Sequence, residues 1–535
     1  MDRTGWAFLP TSVEQGAETV SWQKEIDELR HRERLADQMG GDEKLERQRS
    51  RGKLNVRERV TALIDAGSLR ETGKLAGKAE YDDDGRLQEF QASNFIFGRA
   101  RIEGRPVVVT GDDFTIRGGA ADASIHQKMV FAEQLANEMR LPLLRLIDGT
   151  GGGGSVKQLD SKKARTYIPM NPGWEFVVDN LAQVPVVALG LGPVAGLGAA
   201  RLVNSHYSLL VNQIGQMFVA GPPVVKRLGE DLTKEELGGA DIHTRSGAVD
   251  DDAEDEQEAF AKARRFLSYL PSSVYELPPR GPREDDPQRR DEELLSIIPR
   301  NPRKVYKMRR ILDTLCDRGS RMEIGRSFGR SVITSLARFD GWPVALIASD
   351  PYHYGGGWTA DASQKLVRFI ELAETFHLPV IHLVDCPGFV IGRRAEEQAT
   401  IRHGSRALAS VYQASVPWCS VIVRKAFGVA GAAHTNGSRY PYRFAWPSGD
   451  WGSLPVQGGI EAAYRAELEA SEDPEKLLVE IQQRLDSVRS PFRTAEAFLA
   501  EEIIDPQDTR PLLCEFAELA APLRTAGRSN FHLRP

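Results

Sequence analysis

The chain of 535 residues has only four cysteines, Cys316, Cys386, Cys419 and Cys514. They are scattered and form no CxxC pair, which excludes a disulfide framework or zinc ribbon and fits a reducing compartment. Neither sign of charge dominates. With 27% charged residues and a net charge of −6, nothing global attracts nucleic acid or anionic lipid, so an anionic ligand has to meet a local basic patch. The opening MDRTGWAFLPTSVEQGAETV sets acidic and polar residues where a secretory signal needs an apolar core. A cytoplasmic location is expected, or a mitochondrial matrix in a eukaryote although no transit peptide is evident. Leu181–Ala200 carries only Gln183 as a polar side chain and meets the length rule for a membrane span. Its Pro185, Pro193, Gly190, Gly192, Gly196 and Gly198 would break a helix repeatedly, so it reads as a buried strand followed by a turn. GTGGGGS at Gly149–Ser155 lacks the lysine and hydroxyl of a P-loop, and no Ser-His-Asp spacing or metal cluster emerges.

What the chain does contain is a duplication. ARIEGRPVVV from Ala100 repeats as ARFDGWPVAL from Ala337, and the same offset of 237 residues relates Lys128 to Lys365, Leu141 to Leu378 and Asp148 to Asp385. Farther on the offset becomes 232, pairing VPVVALGLGPVAG from Val184 with VPWCSVIVRKAFG from Val416 and Gly196 with Gly428. A period this long indicates gene duplication, not a solenoid. Charge-dense helical segments are expected over Ile26–Arg59, and amphipathic helices over Ile125–Arg140 and Ser363–His377. In the first of these, Ile125, Met129, Phe131, Ala132, Leu135 and Met139 approximate one apolar face. LPLLRLID and LPVIHLVD read as buried strands, and each is followed by glycine. The order of elements gives an α/β fold with two domains, residues 1–277 and 301–535, joined by a proline- and charge-rich linker over 278–300. Asp250–Glu258 reads as a solvated loop or helix start.

Each copy ends in an apolar strand feeding a glycine turn at the start of a helix, where unpaired N–H groups and the helix dipole favour negative charge. Two amides aimed at one carbonyl oxygen would form an oxyanion hole and stabilise an enolate, one such donor contributing about 3 kcal/mol in comparable sites. The candidate donors are the amides near Gly196 and Leu197 in copy one and near Val429 and Ala430 in copy two. Taken singly, such glycines serve tight strand–helix packing. Their recurrence at matched positions favours the cradle.

The motifs RGKLNVRERVTALIDAGSL (Arg51–Leu69), GDDFTIRGGA (Gly111–Ala120), FVAGPPVVK (Phe218–Lys226), EELGGADIHTRSGAVD (Glu235–Asp250), VDCPGF (Val384–Phe389), IRHGSRAL (Ile401–Leu408), RKAFG (Arg424–Gly428) and FAWPSG (Phe444–Gly449) occur in one order over about Arg51 to Ala520. They resemble the carboxyltransferase β subunits of biotin-dependent acyl-CoA carboxylases, of the propionyl-CoA and methylcrotonoyl-CoA type. The resemblance implies two tandem crotonase-like domains and a ring-shaped homo-hexamer, with each active site between the N-domain of one protomer and the C-domain of another. By position, it makes GPVAGLG the acyl-CoA turn, with Gly196 and Leu197 donating to the substrate enolate and Gly118, Gly119, Ala195 and Gly198 against the substrate. It makes KAFGVAG the biotin turn, with Val429 and Ala430 holding the ureido oxygen, Phe427, Gly428 and Gly431 around biotin, and Ala432 at the acyl pocket. The implied reaction moves a carboxyl group from carboxybiotin to the α or vinylogous γ carbon of an acyl-CoA, through biotin-enolate and acyl-CoA-enolate intermediates. The cofactor itself is the base, in keeping with the absence of a conspicuous side-chain base.

An Ala-Met-Lys-Met biotinylation site and an ATP-binding glycine loop are both missing, so a separate biotin carboxylase and carrier subunit are expected, with no metal in this subunit. Two rival readings share the resemblance: the carboxyltransferase of a sodium-pumping decarboxylase, and a catalytically silent scaffold subunit. The chain departs from the family pattern in GTGGGGSVKQLDSKK after Asp148, in Ala432 where propionyl-CoA-type members tend to carry aspartate, and in GDWGSLPVQGG from Gly449. Lys128 and Lys365 are expected either to meet CoA phosphates or to be solvated. Asp148 and Asp385 are expected as turn formers, and His243 and His403 as hydrogen-bonded structural residues.

Overall fold

A computed structural model describes residues 21–120, 125–149, 166, 168–455, 459–460, 463–486 and 488–529. Two sheets organise them. The first has seven strands in the order 70–71, 95–102, 105–112, 143–147, 186–190, 207–211 and 251–253; the first two pairings are antiparallel and the rest parallel. The second has eight, in the order 322–324, 332–339, 342–349, 380–386, 418–427, 443–445 and 502–503, with 450–452 also beside 418–427.

The duplication is legible atom by atom. Strands Phe95–Ile102 and Arg105–Asp112 correspond residue for residue to Val332–Phe339 and Trp342–Ser349 at the offset of 237 seen in the sequence. Each hairpin closes on a two-residue loop with positive φ, Glu103-Gly104 and Asp340-Gly341, the geometry that matches strand twist. A preceding aspartate fixes each loop: Asp65 accepts from the amides of Glu103 and Gly104 at 2.8 Å each, and Asp317 from those of Asp340 and Gly341 at 3.1 and 2.8 Å. Left-handed Arg117 and Tyr354 correspond as well, both with φ 52°, as do Arg140 and His377 at the helix ends.

Helix Val56–Leu63 starts on a reciprocal cap between Asn55 and Glu58 and buries Val56, Val60 and Leu63. The equivalent helices His126–Met139 and Ala360–Thr375 differ in environment. The second is wrapped by other elements almost all round, whereas the first leaves Phe131 and Met139, both expected on its buried face, more than half exposed or close to it at 50% and 62%. Leu181–Ala200 forms strand Val186–Gly190 and a turn, as its breakers require, and among the described residues no helix is long and apolar enough to cross a membrane. The stretch Asp250–Glu258 contains the expected helix start, with Asp255 capping helix Glu256–Ser268, but its first residues are not a solvated loop. Asp251–Ala253 is an edge strand, Asp250 accepts from Arg368 at 3.1 Å, and Asp251 accepts from the Tyr207 hydroxyl at 2.9 Å. Residues 278–300 lie against the second unit: Arg280 and Arg283 bind Asp340, and Leu294 is buried in the second core. All four cysteines are free and buried.

Candidate active site

Parallel strands leave their loops together at one sheet edge, and in both units three glycine loops meet there. In the first unit a Cβ built on Gly119 would stand 2.5 Å from the carbonyl oxygen of Asp148, one on Gly149 would stand 2.7 Å from that of Gly119, and one on Gly198 would stand 3.7 Å from that of Gly149. Only glycine permits the first two approaches. The expected substrate-side residues Gly118, Gly119, Ala195, Gly196, Leu197 and Gly198 therefore belong to one place in the fold. In the second unit a Cβ on Gly356 would overlap the Asp385 carbonyl, and one on Gly388 would stand 3.7 Å from that of Phe427.

The two turns share their backbone. Gly196 and Gly428 have φ 58° and 60°, a region costly to any residue with a Cβ, and each turn leads into a short helix, Leu197–Val203 or Gly428–Ala432. Among the described residues no side chain caps either helix, so the first-turn amides have neither an intrahelical acceptor nor a capping oxygen there. Open space faces the first turn: a Cβ on Gly196 would meet nothing within 4 Å. Val429 and Ala432 are exposed on the second, whereas Phe427, Ala430 and Gly431 are buried by their side chains or Cα. A cavity of about 190 Å³ lies beside it, lined by Gly428, Gly431, Ala432 and Trp451 among second-unit residues only.

Beneath each cradle is a buried ionic anchor that the sequence reading did not foresee. Asp148 is a fully buried carboxylate, not simply a turn former, and accepts from Lys53 at 2.6 Å and Arg59 at 2.7 Å. Arg59 also binds Glu256 at 2.6 Å and the Leu191 carbonyl at 2.8 Å, tying the RGKLNVRER segment to the strand that leads into the first turn. Burial pushes the Lys53 ammonium below its usual value, opposed by Asp148. Asp385 takes the corresponding position with partners from elsewhere in the chain, Tyr306 at 2.8 Å, Arg424 at 2.9 Å and the Lys425 amide at 3.1 Å. The only signal in the sequence was basic residues set among apolar ones in the quoted motifs.

Asp112, also missed, accepts from the Asp148 amide at 3.1 Å, and burial pushes its carboxyl up to about 6, with Arg201 opposing. His434 lies under the second turn, its Nδ1 2.6 Å from the Gly431 carbonyl, and burial lowers it to about 4, so it is neutral. His243 is structural as expected, with Nε2 2.7 Å from the Met217 carbonyl; His403 lines a groove between the units. Lys128 and Lys365 are not solvated: they are buried at 7% and 6% exposure. Lys365 donates to the carbonyls of Phe328 at 3.1 Å and Val332 at 2.7 Å. The divergent segment Gly149–Lys163 lies outside the described residues after its first glycine, and no metal-holding cluster is found among those described.

Two duplicated α/β units, each with a glycine cradle at the carboxyl end of a parallel strand, define a two-domain enzyme of crotonase type. Residues 47–528 match the carboxyl transferase domain family. The chain is 30% identical over 501 residues to the propionyl-CoA carboxylase carboxyltransferase subunit of Haloferax mediterranei, covering 92% of this chain and 95% of that one. It is 30% identical over 492 residues to the methylmalonyl-CoA decarboxylase subunit alpha of Veillonella parvula, covering 91% and 93%. The solved transcarboxylase 12S, a hexamer with methylmalonyl-CoA and methylmalonic acid bound, superposes with a TM-score of 0.83 at 27% identity over 96% of this chain and 97% of that one. The chain therefore belongs to the carboxyl transferase family, as a carboxyltransferase subunit of the biotin-dependent acyl-CoA carboxylase type.

Proposed function

We propose that this subunit transfers a carboxyl group between carboxybiotin, brought by a separate carrier, and the α or vinylogous γ carbon of an acyl-CoA, stabilising an enolate oxygen in each glycine cradle. The observation that carries the reading is the matched pair of turns: the same positive φ at Gly196 and Gly428, each heading an uncapped helix at a sheet edge. Gly196 and Leu197 donate to the thioester oxygen of the substrate, so the charge that develops when the adjacent carbon loses its proton falls on preset dipoles. Gly118, Gly119, Ala195 and Gly198 let the acyl group approach the backbone.

The open second turn and its side cavity fit a flat ureido ring. Val429 and Ala430 would hold the ureido oxygen, with Phe427, Gly428 and Gly431 around the ring and Ala432 toward the acyl group. When bound, biotin supplies the carboxyl group and the base. The chain supplies position and electrostatics, while the buried Asp148 and Asp385 anchors tie each cradle to the elements behind it. The likeness to a relative solved as a hexamer supports completion of the site by a neighbouring protomer in a hexameric ring. A cytoplasmic location suits this partnership.

The decisive experiment mixes the purified chain with a biotin carboxylase and carrier, ATP, bicarbonate and short, branched and aromatic acyl-CoAs. A carboxylated thioester is expected from at least one; none from any would leave a scaffold. Ala430→Pro removes one donor amide from the first turn of the short helix Gly428–Ala432, where no intrahelical hydrogen bond is lost. It should lower turnover by about 10²–10³-fold while the chain stays folded by circular dichroism. Likeness to a decarboxylase subunit supports a second reading, the same transfer run in reverse. Malonyl-type thioesters losing carboxylate to free carrier faster than the forward reaction would favour it.

A further inference from the structure

Asp112, Glu133, Arg145 and Arg201 gather inside the first unit, at the same end of the sheet as its cradle. Glu133 and Arg145 form a closed pair: Arg145 donates to both Glu133 oxygens at 2.9 and 2.8 Å, and Asn180 donates to the same carboxylate at 3.1 Å. Arg201 is left over. It is only 6% exposed, its Nη1 reaches Met129 Sδ at 3.8 Å, and its Nη2 stands 3.6 Å from Glu133 Oε1 with no hydrogen-bond partner among the described residues. A guanidinium carries five N–H donors, and a buried donor left unmet costs free energy until something meets it.

The duplication shows that the fold does not require these charges. At the offsets of 237 and 232, the twins of Asp112, Glu133, Arg145 and Arg201 are Ser349, Ile370, His382 and Ala433, all buried. Burial lowers His382 to about 3, so it is neutral too. The second unit thus closes the same strands and helices without an ion at any of these positions. Buried ions are costly, and a set confined to one half points to a task that only this half performs.

Position indicates the task. Arg201 lies one helical turn beyond Leu197 on the same face, and helical side chains lean toward the N-terminus, here toward the cradle. The guanidinium packs 5.5 Å from the centroid of the Phe95 ring, and Phe95 is the register partner of Asp112 at the loop edge of the sheet. Asp112 is only partly buried, and its Oδ2 would stand 3.6 Å from a Cβ on Gly149, among the loops that meet at the cradle. No ion pair joins Asp112 to Arg201 among the described residues, yet the guanidinium opposes the rise of the Asp112 carboxyl. The two are near enough to sense each other's charge and too far apart to bond.

We propose that Arg201 and Asp112 recognise an oxygen on the acyl chain of the thioester, a hydroxyl or a carboxylate, so that the subunit prefers oxygen-bearing acyl groups to plain hydrocarbon ones. The inference rests on the acyl-CoA reading of the first cradle and names its substrate class. A hydroxyl accepts from Arg201 while donating to Asp112. A carboxylate accepts from Arg201 and calls for a proton on Asp112, so proton uptake on binding tells the two apart.

The full chain is titrated by calorimetry, in buffers of different ionisation enthalpy, with butyryl-, β-hydroxybutyryl- and succinyl-CoA and with the matching hexanoyl, hydroxyhexanoyl and adipyl set. An oxygen-bearing member should bind at least about ten-fold more tightly than the plain chain of its length. Arg201→Met should erase that ratio and Arg201→Lys restore part of it, whereas a merely structural arginine would shift all three thioesters together. Asp112→Asn should remove the proton uptake seen with a carboxylate, or weaken the hydroxyl chain specifically. Equal affinity of the native chain for all members of both sets, or a ratio unaltered in Arg201→Met, would overturn the assignment; the first comparison needs no variant to fold. The reconstituted complex is then assayed on the same thioesters, and kcat/KM should follow the same order. Carboxylation of every chain without preference ends this assignment and keeps the proposed reaction, while preferential binding with no thioester carboxylated does the reverse.

Discussion

Lys128 and Lys365 show how much a single buried ammonium can shape the behaviour of the chain. Burial lowers Lys365 to about 7 and Lys128 to about 8, since no carboxylate pairs with either among the described residues. An unfolded lysine titrates near 10.4, so between about pH 7 and 10 unfolding takes up a proton at Lys365. Stability contributed by this site therefore rises with pH across that window. Lys365→Met should flatten the rise relative to the native chain in denaturant titrations at pH 7, 8.5 and 10; equal slopes would show that Lys365 is charged in the fold. Gly192 is a second telling residue, because a Cβ there would overlap the Asp148 carboxylate and stand 2.6 Å from Lys53 Nζ. Gly192→Ala should cost about 3 kcal/mol, read as a lowered urea midpoint. An unchanged midpoint would mean that the anchor yields.

At the scale of elements, the sequence revealed what is periodic and hid what is distant. Buried strands and both long helices followed from apolar pattern, and the structure carries the 237-residue offset down to the left-handed pairs Arg117 with Tyr354 and Arg140 with His377. The cradles were legible because glycine marks a backbone need. The anchors were not: Asp148 and Lys53 stand 95 residues apart, and nothing local announces that a charge is buried. Periodicity also misjudged Phe131 and Met139, because a helix pattern reports an apolar face without saying what covers it. The anchor is testable against an ordinary surface pair. Arg59→Met leaves Asp148 and Glu256 short of a buried partner and should destabilise the chain by about 3–5 kcal/mol. Removing the exposed Arg30–Glu33 pair should cost less than about 1 kcal/mol in the same assay.

For the molecule as a whole, exposed apolar side chains are spread over both units, and one group of them sits on the first unit's helical layer. Phe131 and Val178, from two helices packed on each other, are 50% and 54% exposed, with Ile168 and Met170 exposed at 88% and 79% nearby in sequence to the second helix. Surface of this kind fits the ring proposed above. Sedimentation of the native chain should give one large species, and Phe131→Glu combined with Val178→Glu should yield smaller ones. An identical profile for both would place the contact elsewhere.

Because the halves repeat the same hairpins, left-handed residues and glycine turns, the molecule carries its own control experiment. A change made at a position in one half can be repeated at its twin, under the same solvent, expression and assembly conditions. Whatever differs between the two results measures how far the descendants of one ancestral unit have specialised.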